Sequence, residues 1–193
     1  MDDDLRRAAE EHFSRGNQFD EDGYRERAIA EWQEAIDVDP NHAGAHFNLG
    51  IAYAEEDDNT RAIEQLRQAI HLDPFDTEAR HVLAEVYLEE DRFEDAVNQL
   101  RQSLNLAPGD GAAAHLLAQA YIAHAMWDEA TGALESGAMT EEDAGLWFEL
   151  GQAYEREHRI DDALLAYRRT LAAQPDYDDA RLALARLHAP AEE

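Results

Sequence analysis

Residues 43–76 read AGAHFNLGIAYAEEDDNTRAIEQLRQAIHLDPFD. Phe47, Leu49, Ile51 and Tyr53 fall in one apolar stretch at helical spacing, and Ala62, Ile63, Leu66, Ala69 and Ile70 fall in a second. Each stretch predicts an amphipathic helix. The polar run Asp57-Asp58-Asn59 breaks the chain between them, and Pro74 stops the second helix because proline cannot donate the next backbone bond. The same layout recurs along the chain. Prolines stand at Pro40, Pro74, Pro108 and Pro175, so two successive intervals are 34 residues and the last is one residue short of twice that. Placing each proline at position 32 of its unit defines repeats 9–42, 43–76, 77–110, 111–143 and 144–177, the fourth without its proline and one residue shorter.

In this frame position 8 is small (Gly16, Gly50, Ala84, Ala118, Gly151) and position 11 aromatic (Phe19, Tyr53, Tyr87, Tyr121, Tyr154). Position 20 is alanine in every unit, and position 24 is bulky (Trp32, Leu66, Leu100, Leu134, Tyr167). Small residues let two helix backbones approach, and the large ones fill the space beside them. From residue 9 to about 188 this pattern resembles the tetratricopeptide-repeat family. The resemblance implies an all-α fold, a right-handed superhelical solenoid of five helix-turn-helix repeats in a single domain, 1–193. One repeat cannot cover its own apolar face, so a capping helix is expected at 178–188, with Leu184 and Ala185 at its positions 7 and 8. The acidic tail after Pro190 reads as the end of a complete small protein.

The fourth repeat departs from the pattern. Thr131-Gly132-Ala133-Leu134-Glu135-Ser136-Gly137 carries two glycines where a second helix belongs, each costing about 1 kcal/mol relative to alanine. This helix is expected to be the least stable. Two readings stay open: tight packing that only glycine permits, or a hinge between repeats one to three and repeat five.

The chain holds 44 acidic residues against 16 basic ones, all arginine, for a net charge of −28. Such a surface repels phosphate backbones and anionic lipid, which argues against nucleic-acid and membrane partners. The carboxylates are spread along the chain. With lysine absent, the composition resembles that of proteins from salt-loving cells, and a halophilic prokaryote is the expected source. Attraction of a basic partner is the alternative reading of the acidity. There is no apolar run long enough to span a membrane and no basic N-terminal leader, so a cytoplasmic protein is expected. Cysteine is absent, which excludes disulfides, thiolate metal ligands and cysteine nucleophiles.

No catalytic constellation is legible, no cofactor is implied, and an enzyme is not expected. Ser14, Ser103 and Ser136 sit at unrelated repeat positions, and acidic pairs such as Asp161-Asp162 suit helix starts. His42 and His46 stand four apart as metal ligands on one helix would, but no third ligand is dictated. Packing or solvated histidines are the blander reading, and a metal-binding protein is the distant alternative.

The resemblance also implies a concave groove lined by the first helix of each repeat. Its candidate residues are Phe13, Asn17, Phe47, Asn48, Ile51, Glu78, His81, Val82, Glu85, Glu89, His115, Gln119, Phe148 and Gln152. Ser14, Glu55, Leu88, Leu116, Ile122, Glu149 and Glu155 occupy equivalent positions. Family members that grip chaperone tails use two asparagines and three basic residues. Asn17 and Asn48 match the asparagines, but Phe13, Glu78 and Val82 stand at the basic positions, which disfavours that ligand. The expected function is a scaffold or adaptor that binds an apolar segment of a protein or peptide, with or without basic residues. The alternatives are that Phe13, Phe47, Val82 and Leu116 pack between repeats, and that the chain self-assembles into a homo-oligomer.

Carboxylates repel one another more strongly as salt is withdrawn, so helicity and melting temperature are expected to fall in dilute buffer. Circular dichroism across salt concentrations checks this, and unchanged traces defeat the salt-adaptation reading.

Overall fold

The computed structural model describes residues 3–138 and 144–188, which form eleven helices and no strand. They are α1 (Asp3–Glu21), α2 (Arg25–Val38), α3 (Ala43–Glu55), α4 (Asn59–Leu72), α5 (Thr77–Glu89), α6 (Phe93–Leu106), α7 (Gly111–Ala123), α8 (Trp127–Ala138), α9 (Ala144–Arg156), α10 (Ile160–Ala173) and α11 (Asp178–His188). The tail after Pro190 lies outside the described residues. The chain divides into two compact units, Met1–Gln99 and Leu100–Glu193, with the boundary inside α6.

In the first unit α1 packs on α2 and α3 on α4, while α2 meets α3 and α4 meets α5. The pairs close because position 8 receives position 24. A Cβ added to Gly16 would lie 2.5 Å from the Trp32 indole, and one added to Gly50 would lie 2.6 Å from Leu66 Cγ. Trp32, Leu49, Leu66 and Leu83 are buried there among fully buried alanines. Helix α1 starts well before the first repeat frame. Asp3 and Asp4 favour its positive end, and Asp4 pairs with Arg7.

In the second unit α7 packs on α8, α8 on α9, α9 on α10 and α10 on α11. A Cβ on Gly151 would strike the Tyr167 ring at 2.5 Å, the same fit again. The cap buries Ala180 and Ala183, whereas Ala185 is exposed and Leu184 half-buried. Positions 7 and 8 normally face a repeat's own second helix, and no such helix follows α11 among the described residues. Glu155 ties the cap down by accepting from Arg186 at 2.7 Å with both oxygens and from the Tyr167 hydroxyl.

The turn inside each repeat uses one conformation. Gly23, Asp57, Asp91, Ala125 and His158 occupy position 15 with φ between 55° and 80°. The following N–H donates back to the carbonyl of the position 11 aromatic at 2.7 to 2.9 Å in all five repeats. Arginine covers that ring in several repeats: Arg61 lies 4.1 Å over Tyr53, Arg92 4.3 Å over Tyr87 and Arg159 4.2 Å over Tyr154. The same arginines pair with Asp58, Asp95 and Asp162.

The fourth repeat does form its second helix, α8. Leu134 and Thr131 are buried, the Thr131 hydroxyl between the Trp127 carbonyl and the Glu157 carboxylate. Its two glycines differ. A Cβ on Gly137 would lie 2.6 Å from the Ala114 methyl, which supports the packing reading at that position, while Gly132 has nothing within 4 Å. Gly132→Ala is therefore expected to stabilise the protein by about 1 kcal/mol, the helix-propensity difference. Gly137→Ala is expected to destabilise it by about 1–3 kcal/mol through overpacking. Thermal melts of both variants check the opposite signs.

Candidate functional site

In the first unit the inner faces of α1, α3 and α5 carry most of the candidate residues. Phe13 is half-buried, its ring 4.6 Å from that of His42 and its rim against Gly44. Asn17 Oδ1 accepts from Trp32 Nε1 at 2.9 Å and from Asn48 Nδ2 at 2.8 Å, so that oxygen is already spent on holding α1, α2 and α3 together. Glu78 is exposed in the first turn of α5 and does not line the α3–α5 concavity.

Ile51, Val82, Glu85 and Glu89 converge. With Ala54, Glu55 and Val86 they line a concavity of about 290 Å³ between α3 and α5. Val86 is buried, and Ile51, Ala54 and Val82 are half-buried, so the floor is apolar and three carboxylates stand along it. Phe47 lies one turn before Ile51 on α3, half-buried. The Phe13 ring is covered by His42 from the end of its repeat, but the equivalent position beside Phe47 is Asp76, which caps α5 by accepting from Ala79 N–H at 2.9 Å.

The three carboxylates are not equivalent. Arg25 pairs with Glu55, whereas the residue that stands to Glu89 as Arg25 stands to Glu55 is the neutral Asn59, whose amide donates to Glu90 at 2.8 Å. Among the described residues no arginine lies within ion-pair distance of Glu85 or Glu89. Burial holds the Glu85 carboxyl above its ordinary range, the neighbouring His81 pulls it down, and Glu89 pushes it up again.

In the second unit α7 and α9 line another concavity of about 290 Å³, with Gln119, Ile122, Ala123, Trp127, Glu149, Gln152, Ala153 and Arg156 around it. Gln119 donates to His115 Nε2 at 2.7 Å, and His115 Nδ1 faces Glu149 Oε2 at 3.4 Å. Arg156 lies 4.4 Å over the Trp127 ring. Sequence reasoning missed both of these residues. The available signal was the pairing at 29 to 30 residues' separation that joins Arg25 to Glu55 and Trp127 to Arg156. Phe148 packs 5.5 Å from the Tyr167 ring and 4.9 Å from that of Tyr177, so it serves the junction with the cap as well as the surface beside it.

His42 and His46 have structural partners. His42 caps α3, its Nδ1 accepting from Ala45 N–H at 3.1 Å. His46 is buried, with Nε2 donating to the Pro40 carbonyl at 3.0 Å and Nδ1 2.8 Å from the Gln65 amide. Arg80 repeats that arrangement one unit later with the Pro74 carbonyl at 2.8 Å and Gln99 at 3.1 Å. The spacing of His42 and His46 thus serves a cap and a latch. Among the described residues no three His, Asp or Glu side chains are grouped to hold a metal ion, and no helix is long and apolar enough to cross a membrane.

Tetratricopeptide-repeat models match residues 13–77, 53–105, 87–154 and 144–187. No curated protein sequence matches. Among solved structures, MamA is 22% identical with a TM-score of 0.74, covering 85% of this chain and 96% of that one. YrrB, described as a TPR protein with an unusual peptide-binding site, is 20% identical with a TM-score of 0.69 over 89% of each chain. The pilF protein of Pseudomonas aeruginosa is 19% identical with a TM-score of 0.75, covering 95% and 84%. At these identities the likeness speaks to the fold, a solenoid of paired helices. With models of one family matching nearly end to end over five copies of its small-aromatic-alanine-bulky pattern, the chain belongs to the tetratricopeptide-repeat family.

Proposed function

We propose that the protein is an interaction scaffold that holds an apolar segment of another protein against the inner faces of α3 and α5. One observation carries the reading. Ile51, Ala54 and Val82 stay only half-buried at a concavity between adjacent first helices, and Phe47, also half-buried, lies one turn before Ile51 on α3. The equivalent apolar residues at the two ends, Phe13 and Phe148, are covered by His42 and by Tyr167 and Tyr177. All three are half-buried, and Phe47 differs in standing beside the α3–α5 concavity instead of against such a ring. A neighbouring fold described as having a peptide-binding site agrees with this reading without specifying it.

The carboxyl of Glu85 supports the same surface. Its proton is held more tightly in the folded protein than at the ordinary value of 4.5, so the folded state binds more protons than the unfolded one. Stability is then lost as pH rises through that interval, and at neutral pH the ionised Glu85 opposes folding. A residue that weakens its own fold is typical of a surface kept for binding.

Two measurements follow. In pull-downs at molar salt with captured proteins identified by mass spectrometry, Phe47→Ala is expected to reduce capture about tenfold, the scale of one well-packed anchor. Arg67→Ala, on the exposed side of α4, is expected to leave capture unchanged. Equal capture by the Phe47 variant moves the site elsewhere. Glu85→Gln is expected to raise the melting temperature at neutral pH, with the gap to the unaltered protein closing toward about pH 4 as Glu85 takes up its proton. A gap that is absent at neutral pH, or that widens in acid, contradicts the sign.

A further inference from the structure

We propose that the segment held between α3 and α5 presents a cationic side chain, arginine or lysine, flanked by apolar residues, to the carboxylates of Glu85 and Glu89. This rests on the reading of the α3–α5 concavity as a docking surface and adds the chemistry of its occupant.

Lack of an internal cation would mean little by itself. With 16 arginines against 44 acidic residues, most carboxylates in this chain must go without a partner. Both carboxylates are solvent-exposed, and what distinguishes them is the apolar surface beside them. Glu85 and Glu89 lie one turn apart on α5 and line a concavity floored by Ile51, Ala54, Val82 and Val86. Apolar walls raise the cost of leaving charge uncompensated and strengthen its attraction for a cation that enters.

The third carboxylate narrows the address. Glu55 stands across the same concavity but has Arg25, so the unfilled demand is confined to α5. The α7–α9 concavity, of similar size, differs in carrying its own cation, Arg156, stacked on Trp127. A purely apolar segment would bury Glu85 further without compensation, and an acidic one would meet repulsion. A basic residue among apolar ones satisfies floor and rim together.

The test pans a displayed library of random peptides of roughly twelve residues, the length of segment such grooves hold, against the full chain in about 1 M salt to suppress diffuse attraction. Three variants run alongside. Glu85→Gln with Glu89→Gln removes the site charges. Glu64→Gln with Glu94→Gln makes the same charge change at exposed positions on α4 and α6. Phe47→Ala removes the neighbouring ring. Peptides selected by the unaltered chain are expected to carry arginine or lysine within a turn of Leu, Ile or Phe. They are expected to bind the Glu85/Glu89 variant about tenfold more weakly, with no loss on the Glu64/Glu94 variant. Selected peptides without basic residues, or binding the Glu85/Glu89 variant undiminished, overturn the cation proposal and leave the docking surface standing. Peptides indifferent to Phe47→Ala, or a library that yields no binder, overturn the docking surface as well.

Discussion

The fit between position 8 and position 24 is the constraint on which the rest of the structure depends. In Gly16 against Trp32, Gly50 against Leu66 and Gly151 against Tyr167, even one methyl would overlap the facing side chain. A helix pair closed this tightly has little freedom of rotation, since turning either helix would drive the bulky group into backbone. Orientation within a pair is thereby settled. The residues at positions 5, 6, 9 and 13 then share one face.

Joining one pair to the next needs separate devices, and these recur as regularly. The left-handed residue at position 15 reverses the chain within a repeat, and the position 11 carbonyl closes the turn. Between repeats, His46 and Arg80 each reach back to the carbonyl of the preceding proline while holding a side chain of their own second helix. Further links run from second helix to following first helix: Gln33 donates to the Tyr53 hydroxyl at 2.8 Å and Tyr154 to Glu135 at 2.7 Å. Polar side chains satisfied in this way are removed from any binding role. Asn17 is the clearest case, because its oxygen already takes two donors from neighbouring helices.

The repeat period, the helix pairs and the identity of the core were legible because each depends on contacts inside one repeat, where spacing along the chain determines spacing in space. Gly137 packs against Ala114 of the same repeat, yet it was legible only as a choice between two meanings, because a glycine does not itself say which side chain faces it. The surface was harder to read. Phe13, Phe47 and Phe148 share a repeat position and look alike in sequence, yet two meet a ring from position 34 of their own repeat and one does not. That difference rests on whether position 34 is His42, Asp76 or Tyr177, which composition does not weigh. Trp127 and Arg156 escaped notice for the same reason: their contact crosses a repeat boundary, and neither residue recurs at its position.

Acidity means different things in different parts of this molecule. At Asp58, Asp95 and Asp162 a carboxylate steadies a turn arginine that also covers a tyrosine ring, so charge there serves the fold. At Glu155 it anchors the cap through Arg186 and Tyr167. Glu85 and Glu89 serve neither purpose. They take no arginine, and the first is driven above its ordinary protonation range by the apolar surface it lines. Both are solvent-exposed, and both stand at the edge of an apolar concavity. Their position beside Phe47 and Val82 is accounted for when something outside the chain supplies what the chain withholds, a cation and the apolar surface around it.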